Sequence, residues 1–319
     1  MKICIVKVSS MGDVIHTLPG LTDLLENISD LEIDWVVEKS FSEIPLWHKG
    51  VNEIKIIELR KWKKEFWKRS SIVSYKEFKN DLNSKKYDYI LDIQALFKTS
   101  YFIVKNSKAI NKVGYDKSSA KESISSLFYN TKIYVDKDLH AIDRIKIFFG
   151  KVFHYEPNLN SDNFGIRKYF EKLSHSNVVD SPYIVCLHAT SSDKKCWPEE
   201  YWKEFILEAI KRGYKIKLPW GSQVEYERAL RLKISNEVEV LPRLSLTKIG
   251  SIIFSASFVV SVDTGLGHLA SALDKKCIHL YGPTYPKLIG SRGLNQIDIK
   301  KSSMDEIKPK DIISHLFNI

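Results

Sequence analysis

The sequence predicts an α/β protein with two parallel-sheet domains, and three observations carry that reading. Apolar strand-like runs alternate with helical periodicity, polar turn-forming loops follow the strands, and the order restarts after a stretch without periodicity around 155–181. The expected division is 1–165 and 166–304, with a last helix over 305–319 that can pack back on the first domain. At 319 residues the chain has room for two cores of ordinary size. With 44% hydrophobic and 28% charged residues it reads as a soluble globular protein, and no apolar run is long enough to span a bilayer. The opening MKICIVKVSS enters a strand too directly to be a signal peptide. Four scattered cysteines lack zinc or disulfide spacing, which suits a reducing cytoplasm. A net charge of +10 calls for a polyanionic partner: nucleic acid, anionic lipid or phosphorylated substrate. Composition does not choose among them.

Lys2 to Val8 alternates into a first strand, and SSMGD turns into a helix carrying Val14, Ile15, Leu18 and Leu21. This strand, loop and helix lack both the G-x-G-x-x-G fingerprint and a Walker A lysine. Asp13 at the helix start is either a cap worth about 1 kcal/mol or a carboxylate held ionised as a general base. IDWVVE (33–38) is the next strand, and FSEIPLWHKG a loop with a short helix. RKWKKEFWKR (60–69) sets six cations and three aromatics around one glutamate. Most charge runs are solvated helix faces, but Trp62, Phe66 and Trp67 do not belong on one unless they pack inward or touch a ligand. Such a patch suits an anionic membrane surface or phosphorylated glycolipid, and equally single-stranded nucleic acid.

YDYILDI (87–93) is a buried strand, followed by a loop and helix with Lys98 in the first turn, where the helix dipole disfavours a cation unless an anion is near. The polar, Ser-rich 113–130 reads as a surface segment from which Lys117 and Lys121 can reach a substrate. The second half restarts with PYIVCLH (182–188), a polar loop, and a helix opened by Pro198. KIKLP, VEVLP and CIHLY are further strands. Parallel order pools the loops at strand C-terminal ends, so Thr190, Ser191, Lys195, Glu225 and Asp263 share one edge of the second sheet.

The stretch 257–273, SFVVSVDTGLGHLASAL, is the most pointed: a buried strand breaks at Asp263-Thr264-Gly265 into a helix with His268 one turn along. Outward amides there suit a diphosphate, and two glycines let a ligand approach. Many helices start this way and bind nothing. Aspartic proteases also carry Asp-Thr-Gly, but they need two such aspartates in an all-β chain.

Together, KVSSMGDVIHTLP (7–19), DIQALFKTS (92–100), HATSSDKKCWPEEYW (188–202), KLPWGSQVEYERA (217–229) and SVDTGLGHLASAL (261–273) resemble the lipopolysaccharide heptosyltransferases of glycosyltransferase family 9. The WPEEYW, KLPWG and RKWKK stretches point to the first type rather than the second. The resemblance implies a GT-B fold of two facing Rossmann-like domains. It implies inverting, metal-independent transfer of L-glycero-D-manno-heptose from ADP-heptose to the inner Kdo of Kdo2-lipid A, with no cofactor. By motif position it makes Asp13 the base and places Thr190, Ser191 and Lys195 at the donor diphosphate, with Lys195 steadying the departing ADP. It puts Glu225 at the ribose, Leu244 at adenine, and Asp263, Thr264, Gly265 and His268 in the rest of the donor site. Ser10, Gly12, Arg60, Lys61, Lys63, Lys64, Gln94 and Lys98 become acceptor-side residues. Ala95 stands where the family has glycine, and Ser191 where it has threonine. The expected setting is the cytoplasmic face of the inner membrane, with docking through 60–69 and no nucleic acid bound. The alternatives are a heptosyltransferase with another inner-core acceptor and, from a different class, a basic nucleic-acid binder, which leaves Asp13, Glu225 and Asp263 unexplained.

Overall fold

In the first sheet β1 (Lys2–Val6), β2 (Glu32–Glu38), β3 (Glu53–Ile57), β4 (Tyr89–Asp92), β5 (Asn111–Tyr115) and β6 (Thr131–Ile133) run parallel in the order β3-β2-β1-β4-β5-β6. The second sheet holds β7 (Tyr183–Leu187), β8 (Lys215–Leu218), β9 (Val238–Val240), β10 (Phe258–Val262), β11 (Cys277–Tyr281) and β12 (Gln296–Lys300). Its order, β12-β11-β10-β7-β8-β9, repeats the first when its strands are numbered from β7. The computed structural model describes residues 1–65, 67–174, 181–190 and 192–317, so Phe66 and Ser191 lie outside it. The chain divides into Met1–Gly165 and Ile166–Ile319.

A parallel sheet has helices on both faces, so its inner strands are buried throughout instead of alternating. That is why β1 departs from the alternation its sequence suggests: Ile3, Cys4, Ile5 and Val6 are all fully buried. In the first unit the helix Leu18–Asn27 packs on Ala141–Phe153, and Gly20 lets them close, since a Cβ there would lie 2.7 Å from Ile145 Cγ2. The second core gathers around Trp197 and Trp202, whose rings meet edge to face at 5.0 Å.

The terminal helix Pro309–Phe317 belongs to that second core. It packs on Glu199–Lys211, and just before it Trp197 Nε1 donates to the carbonyl of Ile307 at 2.8 Å. This corrects the expectation that it could return to the first domain. Its apolar stripe, Ile312, Ile313, Leu316 and Phe317, is what ties it there.

The Ser-rich segment 113–130 is only in part the surface stretch its composition suggests: Lys117 and Lys121 are exposed, but other stretches of it turn inward. It begins as β5, and Ser119, Ala120, Ser125 and Ser126 are buried. Asp116 accepts from the Ser119 amide at 2.7 Å, Ser119 Oγ accepts from the Val135 amide at 2.8 Å, and the Glu122 amide donates to the Ala95 carbonyl. Serine is favoured here because it can satisfy buried backbone without bulk.

Tyr129 lies across Gly114 in β5, where an added Cβ would sit 2.2 Å from a ring carbon. We expect Gly114→Ala to destabilise the protein by about 1–3 kcal/mol, read as a lower urea midpoint. An unchanged midpoint would show that the ring has room to move.

Candidate active site

In a doubly wound sheet the loops part at the point where strand order reverses, and ligands collect there. The first sheet reverses between β1 and β4, the second between β7 and β10. Polar and charged residues singled out by sequence fall at both points: Asp13 and Gln94 follow β1 and β4, Thr190 and Asp263 follow β7 and β10.

In the first unit Asp13 Oδ2 accepts from the Ser10 amide at 2.9 Å and from Ser10 Oγ at 2.8 Å. Its other oxygen lies 3.7 Å from Lys7 Nζ. Asp13 caps the short helix Met11–Ile15, and it is also ion-paired with a third of its side chain open to solvent. Burial pushes the Asp13 carboxyl up, but the Lys7 charge, both Ser10 donors and Lys121 outweigh it, so it sits below the ordinary carboxylate range. Lys7 is pulled below the usual lysine range, mainly by burial, with Asp13 opposing. Gly12 is buried in the same turn.

Gln94 acts on this loop from below. Its Oε1 accepts from the amides of Val8 and Ser9 at 3.0 and 3.2 Å, which fixes the strand end that carries Ser10 and Asp13. Asp92 fixes Gln94 in turn. Fully buried, its Oδ1 accepts from the amides of Gln94 and Ala95, and its Oδ2 from Ser100 Oγ at 2.7 Å and Tyr129 OH at 3.0 Å. Burial nonetheless pushes its carboxyl above the ordinary range. Ala95, in place of the family's glycine, adopts φ +50°, a left-handed conformation that costs a residue with a Cβ about 1 kcal/mol.

The basic run divides. Trp62 is buried against Tyr75 and Phe78, whereas Trp67 is largely exposed. Arg60 lies over the Phe41 ring and Lys61 pairs with Glu58 at 3.7 Å; Lys63, Lys64 and Lys98 are exposed.

In the second unit Asp263 is the centre. Its Oδ2 accepts from Lys195 Nζ at 2.6 Å and from Thr284 Oγ1 at 2.8 Å, and its backbone carbonyl accepts from Thr190 Oγ1 at 2.8 Å. Thr264 is the N-cap of Gly265–Ala272, and its hydroxyl makes no capping bond. Of the two glycines expected to admit a ligand, Gly267 instead serves packing, since a Cβ there would lie 2.5 Å from Ser261 Oγ. His268 is buried, with Nδ1 3.1 Å from Ser291 Oγ. Glu225 stands apart from Asp263 in sequence role as well as partner: its Oε2 accepts from the Gly221 amide at 2.7 Å at the start of Gln223–Leu232. Leu244 lines a cavity of about 790 Å³ with Lys215, Lys217 and Lys248, and neither Lys195 nor Asp263 lines it. Lys195, paired to Asp263, and the helix opening at Gly265 lie together at this switch point. Among the described residues no group of three or more His, Cys, Asp or Glu could hold a metal ion.

Sequence reading missed Lys7, Asp92 and Thr284 as site residues. A lysine inside the run KICIVKV and the aspartate that opens DIQALFKTS were the available signals, because buried charge must be paired.

Two units with this strand order, each with charged side chains at its switch point, are the build of a GT-B glycosyltransferase. The chain belongs to glycosyltransferase family 9 (heptosyltransferase), whose sequence model matches residues 75–312. It is 42% identical over 298 residues to lipopolysaccharide heptosyltransferase 1 of Salmonella typhimurium, covering 93% of each chain. It superposes on the Escherichia coli heptosyltransferase WaaC with ADP at a TM-score of 0.94 and 39% identity, covering 100% of this chain and 99% of that one. WaaC with ADP-2-deoxy-2-fluoro heptose matches at 0.91 and 38% identity, with the same coverage.

Lys7→Met should move the titration of the Asp13 carboxyl to higher pH, because burial persists when the compensating cation is gone. A carbon-detected NMR titration reads this directly, and an unmoved midpoint would sink the pairing.

Proposed function

We propose that this glycosyltransferase moves L-glycero-D-manno-heptose from ADP-heptose to the inner Kdo of Kdo2-lipid A, with inversion and without a metal ion, in building the lipopolysaccharide inner core. The observation that carries the reading is the division of chemistry between equivalent switch points: a carboxylate kept ionised after β1, and an anion-pairing lysine with a helix start after β7 and β10. The solved relative that holds ADP-2-deoxy-2-fluoro heptose supports the donor.

On this reading Asp13 takes the proton of the acceptor hydroxyl as its oxygen attacks the anomeric carbon, and the bond from that carbon to the diphosphate breaks. Ser10 and Lys7 hold Asp13 in its ionised form for that step. Lys195, Thr190 and the amides opening Gly265–Ala272 offset the charge gathering on ADP, work a metal ion does elsewhere. Asp263 holds Lys195 in position and offers its carboxylate to heptose hydroxyls. Ser191 joins the diphosphate group by motif position, Leu244 meets adenine, Glu225 the ribose, and Thr264, Gly265 and His268 complete the donor side. Ser10, Gly12, Arg60, Lys61, Lys63, Lys64, Gln94 and Lys98 serve the anionic acceptor.

Among the described residues no helix is long and apolar enough to cross a membrane. We place the protein at the cytoplasmic face of the inner membrane, held reversibly through 60–69, where Lys63, Lys64 and Trp67 are exposed.

Asp13→Ala should lower turnover by about 10²–10⁴ and leave ADP-heptose affinity unchanged, as measured by ADP release and calorimetry. Turnover near wild type would leave Asp13 only its capping role. Reversing charge at Lys61, Lys63 and Lys64 should weaken sedimentation with phosphatidylglycerol vesicles by about tenfold or more, at about 1 kcal/mol per cation; unaltered sedimentation refutes docking through this helix.

A further inference from the structure

The first unit contains a second feature, distinct from the Asp13 loop. The helices Leu59–Lys64 and Arg69–Leu82 and the turn Ser100–Val104 enclose a cleft of about 370 Å³. Its walls are Leu59, Trp62, Ile72, Tyr75 and Phe102. Phe102 sits in a π-helical turn, closed by the Lys105 amide bonding to the Ser100 carbonyl at 2.8 Å, and such turns recur at functional sites.

Trp62 Nε1 and Ser71 Oγ, in residues only 9% and 3% exposed, have no hydrogen-bond partner among the described residues, but both atoms are closed off from the cleft and its occupant. Lys63 and Lys98, both exposed, also line the cleft and have no ion-pair partner among the described residues. The occupant must therefore be apolar along its body and end in negative charge. A sugar cannot cover the walls, and a cationic amphiphile would meet two lysines.

We propose that this cleft receives an acyl chain of the glycolipid acceptor along its apolar walls, with the anionic head group meeting Lys63 and Lys98. This rests on the glycolipid acceptor proposed above. The acceptor is thereby read at two places: its sugar at the Asp13 loop and its lipid here. Recognition of the chain adds to acceptor affinity and leaves the chemical step alone.

The test compares Kdo2-lipid A with its fully deacylated counterpart in steady-state assays. The wild type should show a KM for the acylated acceptor at least about tenfold lower at similar kcat, since burial of a few methylenes suffices. Ile72→Trp fills the half-exposed mouth of the cleft and should raise the acylated KM to the deacylated value, without changing the latter. Independently of turnover, dodecanoate should shift the tryptophan fluorescence of the wild type but not of Trp62→Phe, and dodecyltrimethylammonium should shift neither. Equal KM values in the wild type, or a ratio that survives Ile72→Trp, overturns the proposal while heptose transfer to the deacylated acceptor keeps the glycolipid reading. Transfer to neither acceptor overturns both. If Ile72→Trp weakens vesicle binding and leaves the KM ratio intact, the cleft takes bilayer lipid, and the proposal is wrong.

Discussion

A buried carboxylate sets the geometry of the first unit. Asp92 ends β4 at the switch point, and its two oxygens take donors from five residues, Gln94, Ala95, Thr99, Ser100 and Tyr129. Those bonds shape the turn that aims Gln94 at the Val8 and Ser9 amides, and through them the loop that carries Asp13. A carboxylate can accept about four bonds, and a partly satisfied one would be costly in so dry a place. The same residue therefore makes the loop rigid and makes its own surroundings intolerant of change. Tyr129 and Gly114 are part of that intolerance, the ring filling the space the glycine leaves.

The two sheets share a strand order but put different chemistry at equivalent points. After β1 the loop is short, and its carboxylate is paired with Lys7, the residue directly after the strand. After β7 the loop is longer and returns a lysine from outside the sheet to the aspartate following β10. A sheet of this order guarantees a crevice, not its occupant.

The central strands were legible in the sequence because a strand covered on both faces is apolar almost throughout. The edges were less so. β3, β6 and β12 carry lysines, glutamate and aspartate on exposed positions, and their periodicity is weak. Site residues were legible where a motif marks them, as for Asp13 and Asp263. Thr284 was not, because its role depends on β11 lying beside β10, a matter of topology. Serine-rich composition misled for part of 113–130, where the Ser119 hydroxyl bonds to backbone inside the fold. The terminal helix was placed wrongly for a related reason: an amphipathic pattern shows that a face is buried but not against which partner.

That terminal helix also sets an order of events during synthesis. The first sheet has all its strands once residue 133 has been made. The second core, by contrast, includes Ile307, Ile312 and Phe317, and Trp197 finds its acceptor only at residue 307. With domains folding from the N-terminus as the ribosome advances, the first unit can settle while the second still waits for residues 307–317 to emerge and cover its tryptophans.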